Sequence, residues 1–370
     1  MVIFGLRIKL VVEMAKGIKE RKPMASELLK QVEEIVKFVE KTDVKELSDW
    51  LLADTERPLI CVGNGGKRTS YGSFLYEIVA NVARTVTPLE FASMAPAVIQ
   101  KSKVLLLSTS GDNMDIKHAA KRALEHNRDH TACITFSKSE KNAVMKMMGG
   151  KNCFLFENDY KDGFVSIRGK FLLFALFYKA FTGAEKFSDK LNYKRDYKLE
   201  LNGGEGELPD MSKVTNLSIL YGSYGKPVAE EIEAMMAEGG AAAVTISDYR
   251  NYCHGRFIYA GNHTKSNRVP QTDVCMIMLI TPRERKLANG VRKIAVAANT
   301  PVVEIETEQT DALATIQLLI NSFHFLFEFS EKYHLNNPND PTNLSGIDKR
   351  KPKSAVSYVT DLDSFGDLTL

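Results

Sequence analysis

Apolar residues near the start of the chain recur at helical spacing. Between residues 25 and 52 they lie three or four positions apart, which is the period of an amphipathic helix; they are Leu28, Leu29, Val32, Ile35, Val36, Val39 and Leu47. This pattern predicts an N-terminal helical segment, to which we assign residues 1–48.

Short apolar runs then alternate with longer amphipathic runs. The short runs predict buried strands at residues 59–62, 104–107, 131–136 and 153–156. The longer runs predict helices at residues 74–82, 115–125, 141–148 and 165–180. Alternating strands and helices are typical of a parallel sheet covered by helices on both faces. We assign this first domain to residues 49–200.

A polar, glycine-rich stretch at residues 202–207 interrupts the alternation and predicts a linker at 201–208. The pattern then restarts, with strands predicted at 217–221, 241–246, 274–280 and 302–305, and helices at 228–238, 283–289 and 312–329. We therefore predict an α/β fold of two domains, each a parallel sheet flanked by helices in three layers. The second domain is assigned to residues 209–335 and an irregular C-terminal tail to 336–370.

Composition and charge narrow the function classes. The 370 residues are 44% hydrophobic and 26% charged, which is typical of a soluble globular protein. The net charge of +3 carries no strong nucleic-acid signal. No run reaches the roughly 18 apolar residues that a membrane span needs, and Arg7, Lys9 and Glu13 interrupt the apolar start. We expect a cytoplasmic protein that binds neither nucleic acid nor membrane.

The five cysteines are widely spaced, and no Cys-x-x-Cys pair or histidine-rich tract accompanies them. This pattern favours small buried side chains in a reducing compartment over disulfides or zinc ligands. Cys253 is the one candidate for a reactive thiol, because it lies next to His254. We predict no metal site.

The predicted strand at 104–107 ends in a run of small polar residues before the next helix. Ser108, Thr109, Ser110 and Asn113 lie where a helix start offers unpaired N–H groups and a partial positive charge. An ordinary capped turn would select the same residue types. The density of hydroxyls, with no large side chain from 108 to 113, favours an anion site.

The second half carries a different sequence at the corresponding place. There the strand at 274–280 runs into Thr-Pro-Arg-Glu-Arg-Lys, with proline and charged side chains instead of hydroxyls. We therefore expect one ligand site per chain, at the carboxyl end of the first sheet, where open α/β sheets bind ligands.

Candidate acid and base groups lie in the second half. Glu231 and Glu238 are seven residues apart, which places them on one helix face about 10 Å apart along the axis. Glu238 ends the predicted helix, where a carboxylate is disfavoured, and this raises its pKa toward that of a general base. A solvated helix face is the alternative. His254 follows in a predicted polar loop, where it would be reachable.

Together these residues resemble the tandem sugar isomerase (SIS) domain family, as in the isomerase half of glucosamine-6-phosphate synthase and the fructosamine-6-phosphate deglycases. The resemblance covers about residues 50–345. It is carried by the loop at 108–113, Gly-Asn-Gly-Gly at 63–66, Phe-Val-Ser at 164–166, and the spacing of Glu231, Glu238 and His254.

The resemblance implies a role for each candidate residue. The phosphate of a sugar phosphate would bind Ser108, Thr109, Ser110 and Asn113, and the sugar would contact Gly65, Gly66 and Ser166. Glu238 would move a proton between C1 and C2, Glu231 would be a supporting acid, and His254 would assist ring opening. It implies that this histidine comes from the partner subunit of a homodimer, and that no cofactor or metal takes part.

The chain departs from the family pattern in its C-terminal tail, which the resemblance expects to close the site. The position of the family's lysine is Gly346, and the nearest replacements are Lys349 and Lys351. Glutamine-dependent amination is therefore not expected. A deglycase or an aldose–ketose isomerase fits better, and a non-catalytic phosphosugar sensor is the alternative.

Overall fold

The computed structural model describes residues 24–64, 70–79, 83–137, 142–157, 167–194, 196–201, 204–205, 214, 216–239, 242–257, 274–298 and 300–332. Among the described residues two helices precede the first sheet, α1 at Met24–Lys41 and α2 at Lys45–Leu52. Residues 24–48 of the predicted N-terminal helical segment thus lie in these helices and the turn between them, and residues 1–23 lie outside the described part. Val32, Ile35, Val36 and Val39 of α1 are all buried, as the helical spacing of these residues requires.

The first sheet has five parallel strands in the order β2-β1-β3-β4-β5. The strands are β1 Leu59–Val62, β2 Ala83–Val86, β3 Lys103–Leu107, β4 Thr131–Thr135 and β5 Cys153–Leu155. The helices of this half are α3 Ser70–Val79, α4 Pro88–Ala92, α5 Pro96–Lys101, α6 Met114–Asn127, α7 Ala143–Met148 and α8 Arg168–Thr182. The sequence pattern misses β2, because this edge strand is partly exposed and offers no apolar run.

The second sheet has six strands in the order β7-β6-β11-β10-β8-β9. The strands are β6 Lys198–Leu201, β7 Gly204–Glu205, β8 Asn216–Tyr221, β9 Ala243–Asp248, β10 Val274–Ile280 and β11 Val302–Glu306. The helices are α9 Lys226–Gly239, the short α10 Tyr249–Asn251, α11 Arg285–Ala297 and α12 Leu313–Lys332. Four strands are parallel, as predicted.

The edge of the second sheet differs from the prediction of two wholly parallel sheets. Residues 198–201, predicted to end the first domain and begin the linker, form β6, which runs antiparallel to β11. Strand β7 pairs antiparallel to β6. Lys198 explains why the sequence pattern misses this strand: it is exposed and pairs with Glu306 at 3.1 Å, so no apolar alternation marks the edge.

A layer of helices joins the two halves. Helix α1 contacts both α8 and α12, and α3 contacts α9. One apolar cluster runs through this layer from the first sheet to the second. Within it the rings of Phe171 and Phe323, from α8 and α12, lie 6.1 Å apart and are fully buried. The two halves therefore share one core.

Lys179 fixes the end of α1 to α8. Its ammonium donates to the carbonyls of Val39, Glu40 and Thr42, at 3.1, 2.7 and 2.7 Å. A helix leaves its last carbonyls without partners, and a cation at this end also complements the helix dipole. Lys179 thus satisfies three groups at the point where α1 meets the first half.

Replacing Lys179 with methionine removes these bonds and retains most of the apolar stem. We expect a loss of about 2 kcal/mol in the free energy of unfolding, since hydrogen bonds to a charged group contribute about that much. Denaturant unfolding measures it. Lys37→Met is the matched control, because Lys37 makes only an exposed ion pair on α1. Equal losses in the two variants would contradict this role for Lys179.

Candidate functional site

The hydroxyl-rich loop lies at the carboxyl end of the first sheet, between β3 and α6. Its first residues follow β4, because Ser108 N–H donates to Ile134 and Phe136 N–H donates to Thr109. The hydroxyl of Ser108 accepts from Gly111 N–H at 3.0 Å, and that of Ser110 accepts from Asp112 N–H at 3.2 Å. The structure therefore brings the predicted hydroxyls together, with Thr109 and Ser110 exposed.

Asn142 holds this loop in shape. It is buried, and its amide donates to the Thr135 hydroxyl at 3.0 Å and to the Ser137 carbonyl at 2.9 Å. Gly111 packs against it at a φ of +66°, and a Cβ at that position would overlap the Asn142 side chain. The sequence interpretation misses Asn142; its only local signal is its place as the N-cap of α7.

Asn113 caps α6. Its Oδ1 accepts from Ile116 N–H at 3.2 Å and from the Asn64 amide at 3.0 Å. Asn64 also donates to Asp115 at 2.7 Å, so the loop after β1 is tied to the start of α6. The side-chain oxygen of Asn113 therefore acts as a helix cap, as the capped-turn alternative expects. Its amide NH₂ is the group that can donate to an anion.

Two carboxylates lie beside the helix start. Asp112 pairs with Lys117 at 3.2 Å, and Asp115 is in the first turn of α6. Acidic side chains at a helix N-terminus stabilise the helix but compete with a bound anion for the same partial charge. An anion bound here would depend on the loop hydroxyls and backbone N–H groups more than on the helix dipole.

Glu231 lies between the two halves. Its carboxylate accepts from the Ser70 hydroxyl at 2.5 Å and lies 3.4 Å from the Lys170 ammonium. The side chains of Glu231 and Lys170 are only 1% and 2% exposed. Helices α3, α8 and α9 thus meet at one buried charged cluster. The sequence pattern finds Glu231 but not Ser70 or Lys170, which are distant along the chain.

The neighbouring Glu230 faces the same helix, α3. It accepts from the Ser73 hydroxyl at 3.1 Å and lies 4.0 Å from Lys226. Burial raises the pKa of Glu230, while the Ser73 hydrogen bond opposes that rise. The sequence interpretation misses Glu230, because it is Glu231 that lies seven residues before Glu238, on the same helix face.

Several predicted residues lie outside the described part of the chain. These are Gly65, Gly66, Ser166, Lys349, Lys351 and the rest of the C-terminal tail. The backbone of Glu238 forms the last turn of α9, and its side chain is outside the description. Its predicted position at a helix end is therefore confirmed, and its role stays a prediction.

His254 lies at a kink in the segment that follows β9. Residues Tyr249–Asn251 are α-helical, whereas the backbone is not helical at His254, with φ −88° and ψ 31°, or at Gly255, with φ +123°. A short helix therefore precedes the predicted loop, and His254 itself has the irregular backbone that the prediction expects. Tyr249 and Tyr252 are buried three residues apart, and Tyr249 donates its hydroxyl to Leu279 at 3.0 Å, which anchors the turn. His254 is exposed. Within the described residues no hydrogen bond joins it to Glu231 or the Ser108 loop.

In the second half a glutamate of the chain lies at the place that corresponds to the hydroxyl-rich loop. At the carboxyl ends of β8 and β10 the Glu284 carboxylate accepts from Ser223 N–H at 3.4 Å and from the Thr281 hydroxyl. A Cβ at Gly222 would overlap this carboxylate. The Glu284 carboxylate thus accepts from the backbone donor that a ligand would otherwise use. This agrees with the expectation of one ligand site per chain.

Comparison with solved structures shows the fold. No sequence profile of a known family matches the chain, and no curated protein sequence does. The C-terminal domain of glucosamine-fructose-6-phosphate aminotransferase from Francisella tularensis matches at a TM-score of 0.54 and 11% identity, covering 85% of this chain and 98% of that one. Tagatose-6-phosphate ketose/aldose isomerase from Escherichia coli matches at 0.52 and 13%, covering 80% and 90%.

A provisionally named phosphosugar isomerase from Silicibacter pomeroyi matches at a TM-score of 0.52 and 13% identity, covering 83% of this chain and 98% of that one. These coverages extend over both halves, so the chain shares the fold of these three structures. The predicted fold class and the resemblance are confirmed at this level. Among the described helices, none combines the length and the apolar character that a membrane span requires.

Gly111→Ala tests whether the loop depends on its contact with Asn142. Both a positive φ and an occupied Cβ position oppose the substitution. Gly149→Ala is the matched control, because its φ is +65° and nothing lies within 4 Å of its Cβ position. We expect about 1 kcal/mol lost in Gly149→Ala from the backbone alone, and at least about twice that in Gly111→Ala, measured by denaturant unfolding. Equal losses would contradict the contact.

Lys170→Met tests the charged cluster between the halves. Removing one partner of a buried pair leaves the other charge in a medium that cannot solvate it, so we expect about 4 kcal/mol lost. Glu231→Gln added to Lys170→Met should recover at least half of that loss, since the glutamine side chain is neutral and can still accept from Ser70. Lys226→Met removes a half-exposed partner and is the control. The interpretation is wrong if Lys170→Met costs no more than Lys226→Met.

Proposed function

We propose that the chain is a phosphosugar-processing enzyme that moves a proton between C1 and C2 of a 6-phosphosugar, as an aldose–ketose isomerase or a fructosamine-6-phosphate deglycase-like enzyme. The observation that carries this proposal is the loop at 108–113. It presents Thr109 and Ser110 to solvent at the carboxyl end of the first sheet, held by Asn142, in a fold shared with sugar phosphate enzymes.

The loop would hold the phosphate. Ser108, Thr109, Ser110 and the amide of Asn113 are short donors next to one another, and a phosphate has oxygens enough to accept from all of them. Gripping a group far from C1 and C2 supplies binding energy that orients the sugar without taking part in the reaction. The sugar would then extend toward Gly65, Gly66 and Ser166.

Glu238 would be the base. A hydrogen beside a sugar carbonyl is a weak acid, so a positioned carboxylate must take it from one carbon and return it to the next. The end of α9 favours this role, because the C-terminus of a helix carries a partial negative charge that disfavours an ionised carboxylate. The exposed His254 is available to open the sugar ring, and we propose that it acts in the site of a partner subunit.

Glu231 would be the supporting acid, and its position is fixed by two partners. Its carboxylate accepts from the Ser70 hydroxyl and lies 3.4 Å from the buried Lys170 ammonium. Its position two turns before Glu238 on α9 means that the same cluster fixes the helix that carries the base.

The five free cysteines agree with a reducing compartment, and we propose the cytoplasm. We propose a homodimer as the working form, because a site that takes His254 from its partner is incomplete in one chain.

A screen of hexose, hexosamine and fructosamine 6-phosphates tests the proposal. Each is incubated with the protein in D₂O, and NMR follows exchange at C1 and C2 and release of an amine. We expect turnover of one class only. Thermal stabilisation by a 6-phosphosugar, with neither exchange nor product, would contradict the enzyme proposal and support a non-catalytic phosphosugar sensor. The absence of stabilisation by every compound would contradict both.

Glu238→Gln should lower kcat by about 10²- to 10⁴-fold, the usual contribution of a general base, with little change in the affinity for the phosphosugar. Glu233→Gln on the same helix is the matched control and should retain activity. Equal activity in Glu238→Gln and Glu233→Gln would remove Glu238 from the mechanism.

Ser110→Ala should weaken binding of the phosphosugar and of inorganic phosphate about tenfold, which corresponds to about 1.4 kcal/mol, because it removes one donor to the phosphate. Its kcat should change much less than its KM. Ser93→Ala removes an exposed hydroxyl outside the loop and is the control. If phosphate binds both variants as tightly as the parent, the anion site lies elsewhere.

A further inference from the structure

A second reactive feature lies in the first sheet, beneath the loop. Cys133 on β4 and Cys153 on β5 are direct partners in the register of two neighbouring parallel strands. Partners in register direct their side chains to the same face of a sheet. Cys133 is buried and Cys153 is half-buried. The two thiols therefore lie side by side, with one of them accessible from solvent.

The spacing suits a covalent bond. Neighbouring strands lie about 4.8 Å apart, and disulfides form between cysteines whose Cα atoms are roughly 4.4–6.8 Å apart. The Cβ atoms of a disulfide approach to about 3.8 Å, so the bond would draw the two strands together. Strain of this kind makes a disulfide easier to reduce, as in disulfides that form and break reversibly.

The pKa values of the two thiols are shifted in opposite directions, so the two thiols differ in reactivity. The neighbouring Cys133 thiol lowers the pKa of Cys153, burial opposes this effect, and the backbone N–H of Gly150 adds to it. The Cys153 thiol itself donates to the Lys151 carbonyl at 3.6 Å. The pKa of Cys133 is raised by its neighbour Cys153 and by burial. The thiolate is the reactive form of cysteine. Cys153 is thus both the more accessible and the more nucleophilic of the pair.

We propose that Cys133 and Cys153 form a reversible disulfide when the protein meets a two-electron oxidant such as hydrogen peroxide. The Cys153 thiolate attacks one peroxide oxygen; an S–O bond forms, the O–O bond breaks, and the departing hydroxide takes a proton to become water. Cys133 then attacks the Cys153 sulfur; the S–S bond forms, the S–O bond breaks, and the Cys133 proton leaves with the hydroxyl as a second water. Both sulfurs are oxidised and the peroxide is reduced.

The bond would lie close to the anion loop. Cys133 is two residues before Thr135, whose hydroxyl donates to the Thr109 carbonyl at 3.3 Å and accepts from Asn142. The oxidised pair would therefore change the spacing of strands on which the loop rests. The other thiols lack this arrangement: burial raises the pKa of Cys61 and Cys275 to about 12, and Cys253 is exposed next to the kink at His254 and Gly255.

The full-length protein with Cys253→Ser, which removes the exposed thiol, is treated with an equimolar amount of hydrogen peroxide. Remaining thiols are alkylated in denaturant, and peptide mass spectrometry maps the products. We expect a peptide pair linked through Cys133 and Cys153, a loss of two hydrogen atoms per chain, and full reversal by dithiothreitol. Cys61→Ser in the same background is the matched control and should form the same link.

Cys133→Ser should stop the oxidation of Cys153 at a sulfenic acid, trapped by dimedone, and Cys153→Ser should leave Cys133 fully alkylated. The mapping of the Cys253→Ser protein decides the proposal even where one of these variants does not fold. A sulfinic or sulfonic acid at Cys153 with Cys133 still reduced would overturn it. A Cys153 link to another chain, or both thiols still reduced, would do the same.

Discussion

A charged side chain can remain in a protein interior only where another group balances its charge. In this protein that requirement brings together three helices from the two halves. The Glu231 carboxylate lies in the shared core, so the Lys170 ammonium and the Ser70 hydroxyl have to be beside it. These groups come from three helices, one in the second half and two in the first. An apolar contact tolerates sliding, whereas a buried ion pair fixes distance and direction. The cluster therefore constrains how the three helices meet, although the ion pair itself contributes little net stability.

The two sheets show opposite solutions to the same local geometry. In the second half the Glu284 carboxylate accepts from Ser223 N–H and from the Thr281 hydroxyl, after β8 and β10. In the first half the residues at the corresponding place are hydroxyls on a loop with Thr109 and Ser110 exposed. A carboxylate from the chain itself thus uses donors in the second half that remain open to a ligand in the first.

Alternation of apolar and amphipathic runs was enough to predict the fold, because a buried parallel strand has to be apolar throughout. It failed where burial is partial or the partner is remote. The strand at Ala83–Val86 is half-exposed, and Lys198 begins a strand near the edge of the second sheet with an exposed, charged side chain, so neither leaves an apolar run. The loop hydroxyls were predictable, since their chemistry is local. The contacts of Asn142 with Gly111 and of Lys170 with Glu231 were not, because each joins residues that are distant along the chain.

The N-terminal helix has a consequence for how the chain is made. Helix α1 contacts α8, in the first half, and α12, the last helix described. During synthesis α1, the earliest of the described helices, can therefore pack on α8 long before α12 has been translated. Its second apolar contact stays open until residues 313–332 emerge, after most of the chain. Contacts of such long sequence separation slow folding and expose apolar surface while they wait. The apolar face of α1 is therefore fully buried only when α12 has formed. A chain truncated between α8 and α12 would leave the part of this face that contacts α12 exposed, and this part would favour aggregation.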